Sequence, residues 1–529
     1  MQRSGPQLAL AYGRVFVLYL AGMWILWQLA IEAIYQHPTP FYALYFPIFT
    51  SLTQPLALIL LSVVTGIVLG LALGGRLPGP GVAYQSVFLV LLLLLVTSFL
   101  RDLGDGSLVE GLAAFAVEFR WHALVFAVFL IGTLAFLWAM RRTDWYKGNI
   151  GSREAGWMLC GLIVFAFLFS GSVAMVRGGP DGIKQSYERH GYEYIDDIGS
   201  KSSIHDLFRD YNTIQPYLSM HAKVHPPGPI AILWVMSFGV GQGAMALSLA
   251  TMVLGVLGLI PLYLWVKDLA DRRVALTCCI IYSLMPSIVL FTATSADITF
   301  MPFVLTTLFL FWRALERGSI PYALAAGVMY GVLSLISFSL ISLGAFFAIA
   351  GLWHFRDHER RGAVVKTAAV MVVGLFALHL AVRWWSGFDV ITCFIQSKAQ
   401  FDTDQMHLDE LAPRFPSWSW KLLNPACWFF FAGIPVSLLF LWRLRHREDA
   451  QHGLFIVFAL TALALDILYL GRGEGERSAM YVLPFLAIPA AYMLDELGRR
   501  AESTGPLLVT TSFLAFQCWF IESVFYTYW

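Results

Sequence analysis

Tyr187 to Asp197 reads Tyr-Glu-Arg-His-Gly-Tyr-Glu-Tyr-Ile-Asp-Asp and offers Glu193, Asp196 and Asp197 beside an aromatic cluster. A carboxylate placed there can act as general base, taking a proton from an acceptor hydroxyl or amine. The plain alternative is a solvated loop with ordinary acids. Further on, Met220-His221-Ala222-Lys223-Val224-His225 runs into a rigid Pro226-Pro227-Gly228-Pro229 turn. Histidines four apart share one helical face, which invites a metal reading. No glutamate stands in the HExxH position, however, and Pro226 disfavours helical geometry at His225. No metal is therefore expected. His221, Lys223 and His225 read instead as cationic or donor groups for a phosphate, against the alternative that the turn only redirects the chain.

Two further polar points interrupt apolar sequence. Thr292-Ala-Thr-Ser-Ala-Asp297 puts a carboxylate where one apolar helix ends and the next begins. Asp297 is a functional candidate by that position and equally a fitting N-cap. Gly471-Arg472-Gly-Glu-Gly-Glu-Arg477 holds two arginines in a short glycine-rich connection. Their fixed guanidinium forks suit a phosphate or pyrophosphate, with local Arg–Glu pairing as the alternative. Asp206 has a simpler reading. Ser203 and Asp206 form an N-terminal capping pattern for a helix with Ile204, Leu207, Phe208 and Tyr211 at helical spacing.

The frame that must position these residues is a membrane frame. Hydrophobic residues make up 58% of the 529-residue chain and charged residues 13%, with mean hydropathy +0.69, far from an ordinary soluble protein. The expected fold class is all-α, a polytopic membrane protein. Spans are expected near 15–34, 52–73, 84–100, 121–140, 156–176, 243–265, 274–293, 298–314, 320–336, 339–354, 364–383, 424–442, 453–470, 478–495 and 506–524. That is about fifteen helices, since each crossing needs some 20 apolar residues and lipid tolerates no open backbone. The first run is too long for a signal peptide and lacks a small-residue cleavage site, so it reads as a retained helix. Net charge is +1 and no nucleic-acid motif is present, so no nucleic-acid partner is expected. The six cysteines mostly lie in apolar runs without CxxC spacing and read as core residues.

Charge orients the frame. With the N-terminus inside, the inside connections collect Arg141, Arg142, Arg272, Arg273, Arg356, Arg360, Arg361, Arg443, Arg445, Arg499 and Arg500 among others. Short outside connections hold few basic residues, the positive-inside asymmetry. Two long loops, near 177–242 and 384–423, then fall outside. Pro229 to Val240 is too short to span and reads as a helix at the outer interface. The second loop carries Trp384, Trp385, Trp418 and Trp420 as an aromatic belt. No internal repeat supports an inverted-repeat transporter, and no Walker A, GxSxG or GxGxxG pattern stands in a strand-to-helix context. Three regions are expected: N-terminal extra helices 1–153, a core 154–383 with the catalytic outer loop, and 384–529 with the second loop and C-terminal helices.

The first outer loop with acids, the Pro-Pro element, a span ending in basic residues and Asp297 at the outer end of the next span together resemble the GT-C superfamily of membrane glycosyltransferases. The likeness is greatest to the branch of the protein O-mannosyltransferases and the aminoarabinose transferase of lipid A, over about residues 156–340. Asp196-Asp197 stands nearest that branch's acidic motif, and Lys223-Val-His225-Pro226-Pro227-Gly228 nearest its proline element. The chain departs from the branch in Ile198-Gly199 after Asp197, in His225 where a lysine is usual, and in four helices ahead of the core. The resemblance implies a GT-C-like fold with amphipathic juxtamembrane helices in the first outer loop. It implies inverting transfer of a sugar from a polyprenyl-phosphate donor to a glycan, lipid or protein acceptor, without cofactor or metal. Asp196 or Asp197 would be catalytic; Lys223, His221, His225, Asp297, Arg472, Arg477 and Glu193 would bind substrate. The expected location is a bacterial inner membrane, with the site facing the periplasm. A transporter or flippase of lipid-linked sugars, or another outer-leaflet transferase, are the competing readings.

Overall fold

The computed structural model describes residues 108–146, 150–411, 420–446, 451–471 and 475–524. The expected spans 15–34, 52–73 and 84–100, and Arg472, lie outside these residues.

Long apolar runs become helices because in an apolar medium every backbone donor and acceptor must be satisfied within its own segment. Two such helices open the described chain, α1 (Leu108–Arg142) and α2 (Ser152–Gly178). A polar loop follows, whose one long helix is α3 (Ile204–Ile214). The Ser203 hydroxyl accepts from the Asp206 N–H at 3.1 Å, which starts α3 where the capping pattern placed it. Leu207, Phe208 and Tyr211 are buried along its one apolar face. Beyond the proline turn lies α4 (Gly228–Val240), 13 residues long, with Val235 and Phe238 exposed. It is too short to cross a bilayer.

The remaining helices of nine residues or more begin with α5 (Ala244–Val256), α6 (Leu259–Leu269), α7 (Arg272–Tyr282), α8 (Pro286–Thr294), α9 (Met301–Arg317), α10 (Ile320–Ile336), α11 (Gly344–Phe355) and α12 (Arg361–Ser386). After them come α13 (Val390–Leu411), α14 (Trp420–Phe431), α15 (Ile434–Arg445), α16 (His452–Leu468), α17 (Leu483–Ala501) and α18 (Gly505–Val524). All regular structure among the described residues is helical, so the all-α expectation stands. Seven stretches there are long and apolar enough to cross a membrane, or nine if the bent pairs α7–α8 and α14–α15 each make one span. Three further apolar helices, α4, α10 and α16, are shorter. The expected total of about fifteen also counts the short helices α10 and α16, helix α18, which is not among these candidate spans, and three stretches outside the described residues.

Burial separates central helices from peripheral ones. The span containing α17 is 94% buried, whereas α12 is 17% buried. Helix α17 packs against α7, α15, α16 and α18, and α12 turns most of its apolar surface outward. Helices α10 and α12 approach at glycines: a Cβ on Gly327 would lie 2.1 Å from the Met371 carbonyl oxygen, and one on Gly374 2.6 Å from that of Leu324. Small residues let backbones close up in this way. The helix directions bring two sets of ends together. The C-termini of α9 and α17 and the N-termini of α7 and α12 carry arginines at a basic end. The start of α4, the start of α9 and residues 475–482 gather at the opposite, loop end.

Candidate functional site at the loop end

The polar loop is fastened at several points. Its two halves pair through backbone: the Met220 N–H donates to Gly191 O at 2.9 Å and the His221 N–H to Tyr192 O at 3.1 Å. Tyr211, fully buried on α3, donates its hydroxyl to Ala222 O (3.0 Å) and His225 O (2.8 Å), which fixes the turn before the prolines. Gln215 Nε2 donates to Lys223 O at 2.9 Å and to Ser397 Oγ of α13 at 2.7 Å, so the polar loop is joined to α13. Gly228 is where the turn meets the bundle; a Cβ there would sit 2.2 Å from the Leu335 carbonyl oxygen. Pro226-Pro227-Gly228 therefore docks the loop against the end of α10 as well as redirecting the chain.

The three loop carboxylates have different surroundings. Asp196 accepts from the Gly191 N–H and lies 3.1 Å from the exposed His190 Nδ1. Asp197 accepts from the Ser219 N–H at 3.1 and 3.3 Å. Burial pushes its carboxyl above the usual range, while the Ser219 hydrogen bonds and the nearby Lys223 charge act the other way. Both aspartates tie the loop to itself. Glu193 is only 1% exposed, and neither carboxylate oxygen has a hydrogen-bond donor among the described residues. Its Oε1 lies 3.3 Å from His221 Nδ1. Buried carboxylates are almost always satisfied, so an unsatisfied one marks a site.

Around Glu193 the cluster closes. The buried Tyr194 ring lies 5.8 Å from the His221 ring and 5.7 Å edge-on from that of His225. His225 is half-buried, with its Nδ1 enclosed and without a partner, and tilts against Phe300 at 6.3 Å. Burial lowers the His225 imidazole to about 4; Asp297 opposes that shift, and His221 and Arg477 reinforce it. Tyr187 bonds Thr251 Oγ1 at 2.7 Å. Burial, then the negative charges of Glu193 and Asp297, raises the hydroxyls of Tyr187 and Tyr194.

Asp297 and Arg477 complete the cluster. Asp297 Oδ2 lies 3.3 Å from Arg477 Nη1, and both side chains are buried. The cap that Asp297 was fit to supply comes from Ser295, whose hydroxyl accepts the Asp297 N–H at 3.2 Å. The carboxylate is thereby free to reach Arg477, across from a connection distant in sequence. Of the expected site residues, Glu193, His221, His225, Asp297 and Arg477 come together. Lys223 stands beside Asp197, and Asp196 faces outward. Tyr187 and Tyr194 were not singled out from the sequence; the available signal was the Tyr192-Glu193-Tyr194 run for Tyr194 and the aromatic cluster ahead of Glu193 for Tyr187. Among the described residues no group of three His, Cys, Asp or Glu side chains is arranged to hold a metal ion.

Residues 224–386 match the family model of dolichyl-phosphate-mannose-protein mannosyltransferases. The chain is similar to the GT-C membrane glycosyltransferases. The matched stretch holds His225, the Pro-Pro-Gly turn and Asp297, whereas the loop carboxylates and Arg477 fall outside it. No curated protein matches the chain. The crystal structure of the Archaeoglobus fulgidus oligosaccharyltransferase is similar at 16% identity and a TM-score of 0.42, over 68% of this chain and 53% of that one. The chain thus spans about half the length of that protein, and so loose a likeness bears on neither site nor activity.

Proposed function

We propose that the protein is a membrane glycosyltransferase that moves a sugar from a polyprenyl-phosphate donor to an acceptor on the extracytoplasmic side. Transfer would invert the anomeric carbon, as the resemblance to the mannosyltransferase branch implies, through a single displacement by the acceptor. A bacterial inner membrane, with the site facing the periplasm, fits the basic residues gathered at the opposite helix ends. The observation that carries the reading is the buried Asp297–Arg477 pair beside His225, Tyr194 and Glu193. As the bond from C1 to the phosphate oxygen breaks, negative charge grows on the lipid phosphate. Arg477 supplies fixed positive charge to meet it in a water-poor setting, where such stabilisation is strongest. His225, held neutral by burial, offers a hydrogen bond rather than a charge. Asp297 aims the guanidinium. A carboxylate of the loop takes the acceptor proton. Asp196 and Asp197 were expected in that role, and their hydrogen bonds to Gly191 and Ser219 suit them better to holding the loop.

The test is transfer by purified protein in liposomes supplied with polyprenyl-phosphate hexoses and candidate acceptors. The expected result is a glycosylated acceptor and free polyprenyl phosphate in equal amounts, both lost in Arg477→Ala. Movement of intact donor between leaflets with no cleavage of its sugar–phosphate bond would replace this reading with a flippase.

A further inference from the structure

Glu193 is enclosed, yet a base that takes a proton at every turnover must also lose it. The side chain beside it offers the exit. His221 Nδ1 lies 3.3 Å from Glu193 Oε1, and the His221 side chain is 19% exposed where that of Glu193 is 1% exposed. The backbone pairing of Gly191 and Tyr192 with Met220 and His221 holds the two together. Neither Glu193 oxygen and not His221 Nδ1 has another hydrogen-bond partner among the described residues.

We propose that Glu193 and His221 form one proton-accepting unit, Glu193 as the catalytic base toward an acceptor hydroxyl or amine and His221 as the relay that returns the proton to solvent. This rests on the transferase reading above. The acceptor O–H or N–H bond breaks as its heavy atom bonds to C1 of the sugar. The C1–O bond to the lipid phosphate breaks, and its electron pair leaves on the phosphate. The proton goes to the Glu193 carboxylate, then to His221 Nδ1, and the imidazolium releases a proton outward. The groups facing the unit are Tyr187 and Tyr194 of the same loop, His225 of the turn, Asp297 at the start of α9, and Arg477. The other carboxylate among them, Asp297, is paired with the Arg477 guanidinium, which leaves His221 to receive the proton.

The experiment compares wild type, Glu193→Gln, Glu193→Asp, His221→Gln and His221→Ala in the liposome assay across pH. Glu193→Gln is expected to lose about 10²–10⁴-fold in transfer, the worth of a general base, with donor affinity kept. Glu193→Asp retains part of the rate. His221→Gln lowers kcat about tenfold without changing the donor KM and changes the shape of the acid limb of the pH profile. Free imidazole restores His221→Ala, a result that a merely structural histidine would not give. Full activity in Glu193→Gln overturns the base. An unaltered pH profile in His221→Gln, with no response of His221→Ala to imidazole, overturns the relay. If wild type transfers no sugar from any donor, the transferase reading fails, and the unit is judged separately by acylation of His221 with diethyl pyrocarbonate. The rates in wild type and Glu193→Gln should then differ by about threefold or more, as expected for an interacting pair; equal rates overturn the coupling.

Discussion

The two ends of the helix bundle bury charge in opposite ways. At the basic end, Asp495 receives Arg273 Nε on Oδ1 at 2.6 Å and has Arg499 Nε 3.0 Å from Oδ2. Glu496 lies between Arg443 and Arg500, and Asp268 is forked by Arg313 at 2.5 and 3.3 Å. Each of these carboxylates accepts at least one guanidinium hydrogen bond from another helix, Asp495 from Arg273, Glu496 from Arg443 and Asp268 from Arg313, although Asp495 Oδ2 has no hydrogen-bond partner among the described residues. At the loop end, Glu193 and the enclosed nitrogens of His221 and His225 have no hydrogen-bond partners among the described residues. Burying a polar group without a partner costs free energy. A set of such groups in one place is tolerated where a ligand completes it. What separates the two clusters is that the three carboxylates named at the basic end each accept a guanidinium hydrogen bond, whereas Glu193 accepts none among the described residues.

That contrast can be broken first at the basic end. Asp495→Asn removes the buried counter-charge of Arg273, leaving it only the more exposed Asp271 at 3.6 Å, and should cost about 3 kcal/mol of stability, with transfer per folded molecule unchanged. A thermal-shift series beside the transfer assay reads both. Loss of transfer in folded Asp495→Asn protein would mean that the basic end also serves the site. Next in size is Gly228→Ala, whose Cβ has to push the Leu335 carbonyl away. It should cost about 1–3 kcal/mol as overpacking does, and it should impair transfer because the proline turn carries His225. Stability loss with a normal kcat would separate the turn from the site.

A third test uses pH. His225 has its imidazole lowered to about 4 in the folded protein, against about 6.5 in an unfolded chain. Between those values the unfolded state binds more protons, so stability rises with pH. The contribution is fully present above about 6.5 and is lost as pH falls toward about 4. Limited proteolysis of the loop should accelerate through that window, and His225→Gln should flatten the response. Equal acceleration in both proteins would assign the effect to other groups. The smallest effect belongs to Asp206→Ala. The mutation removes a first-turn carboxylate bonded to Ser202 and Ser203. It should cost about 1 kcal/mol, a typical capping contribution, and leave transfer intact. A deep loss of activity there would extend the site to the start of α3.

Much of the frame was legible in the sequence. Apolar runs of membrane length, the Ser203 cap and the apolar stripe of α3 are local features, and each recurs in the structure. The short helix after Pro227 was legible for the same reason: Pro229 to Val240 cannot reach across a bilayer. The site was legible only as a set of candidates. Asp196 and Asp197 stood out as adjacent acids. Sequence order gives no measure of which carboxylate finds donors, and both found them in Gly191 and Ser219 while Glu193 did not. Asp297 suited a cap and a functional site equally until Ser295 took the cap.

By itself the sequence determined the solvent this protein folds in, the helices that follow from it and the polar segments that interrupt them. Those properties depend on composition and on neighbours within a turn or two. The tertiary structure decided which polar residues meet. Glu193 faces His221 because the N–H groups of Met220 and His221 donate to the carbonyls of Gly191 and Tyr192 in the same loop, and Arg477 faces Asp297 because helices from distant parts of the chain end at the same place. The physical reason is that charge pairing and desolvation act through space, over a few ångströms, and the chain contributes to them only once it has been brought together.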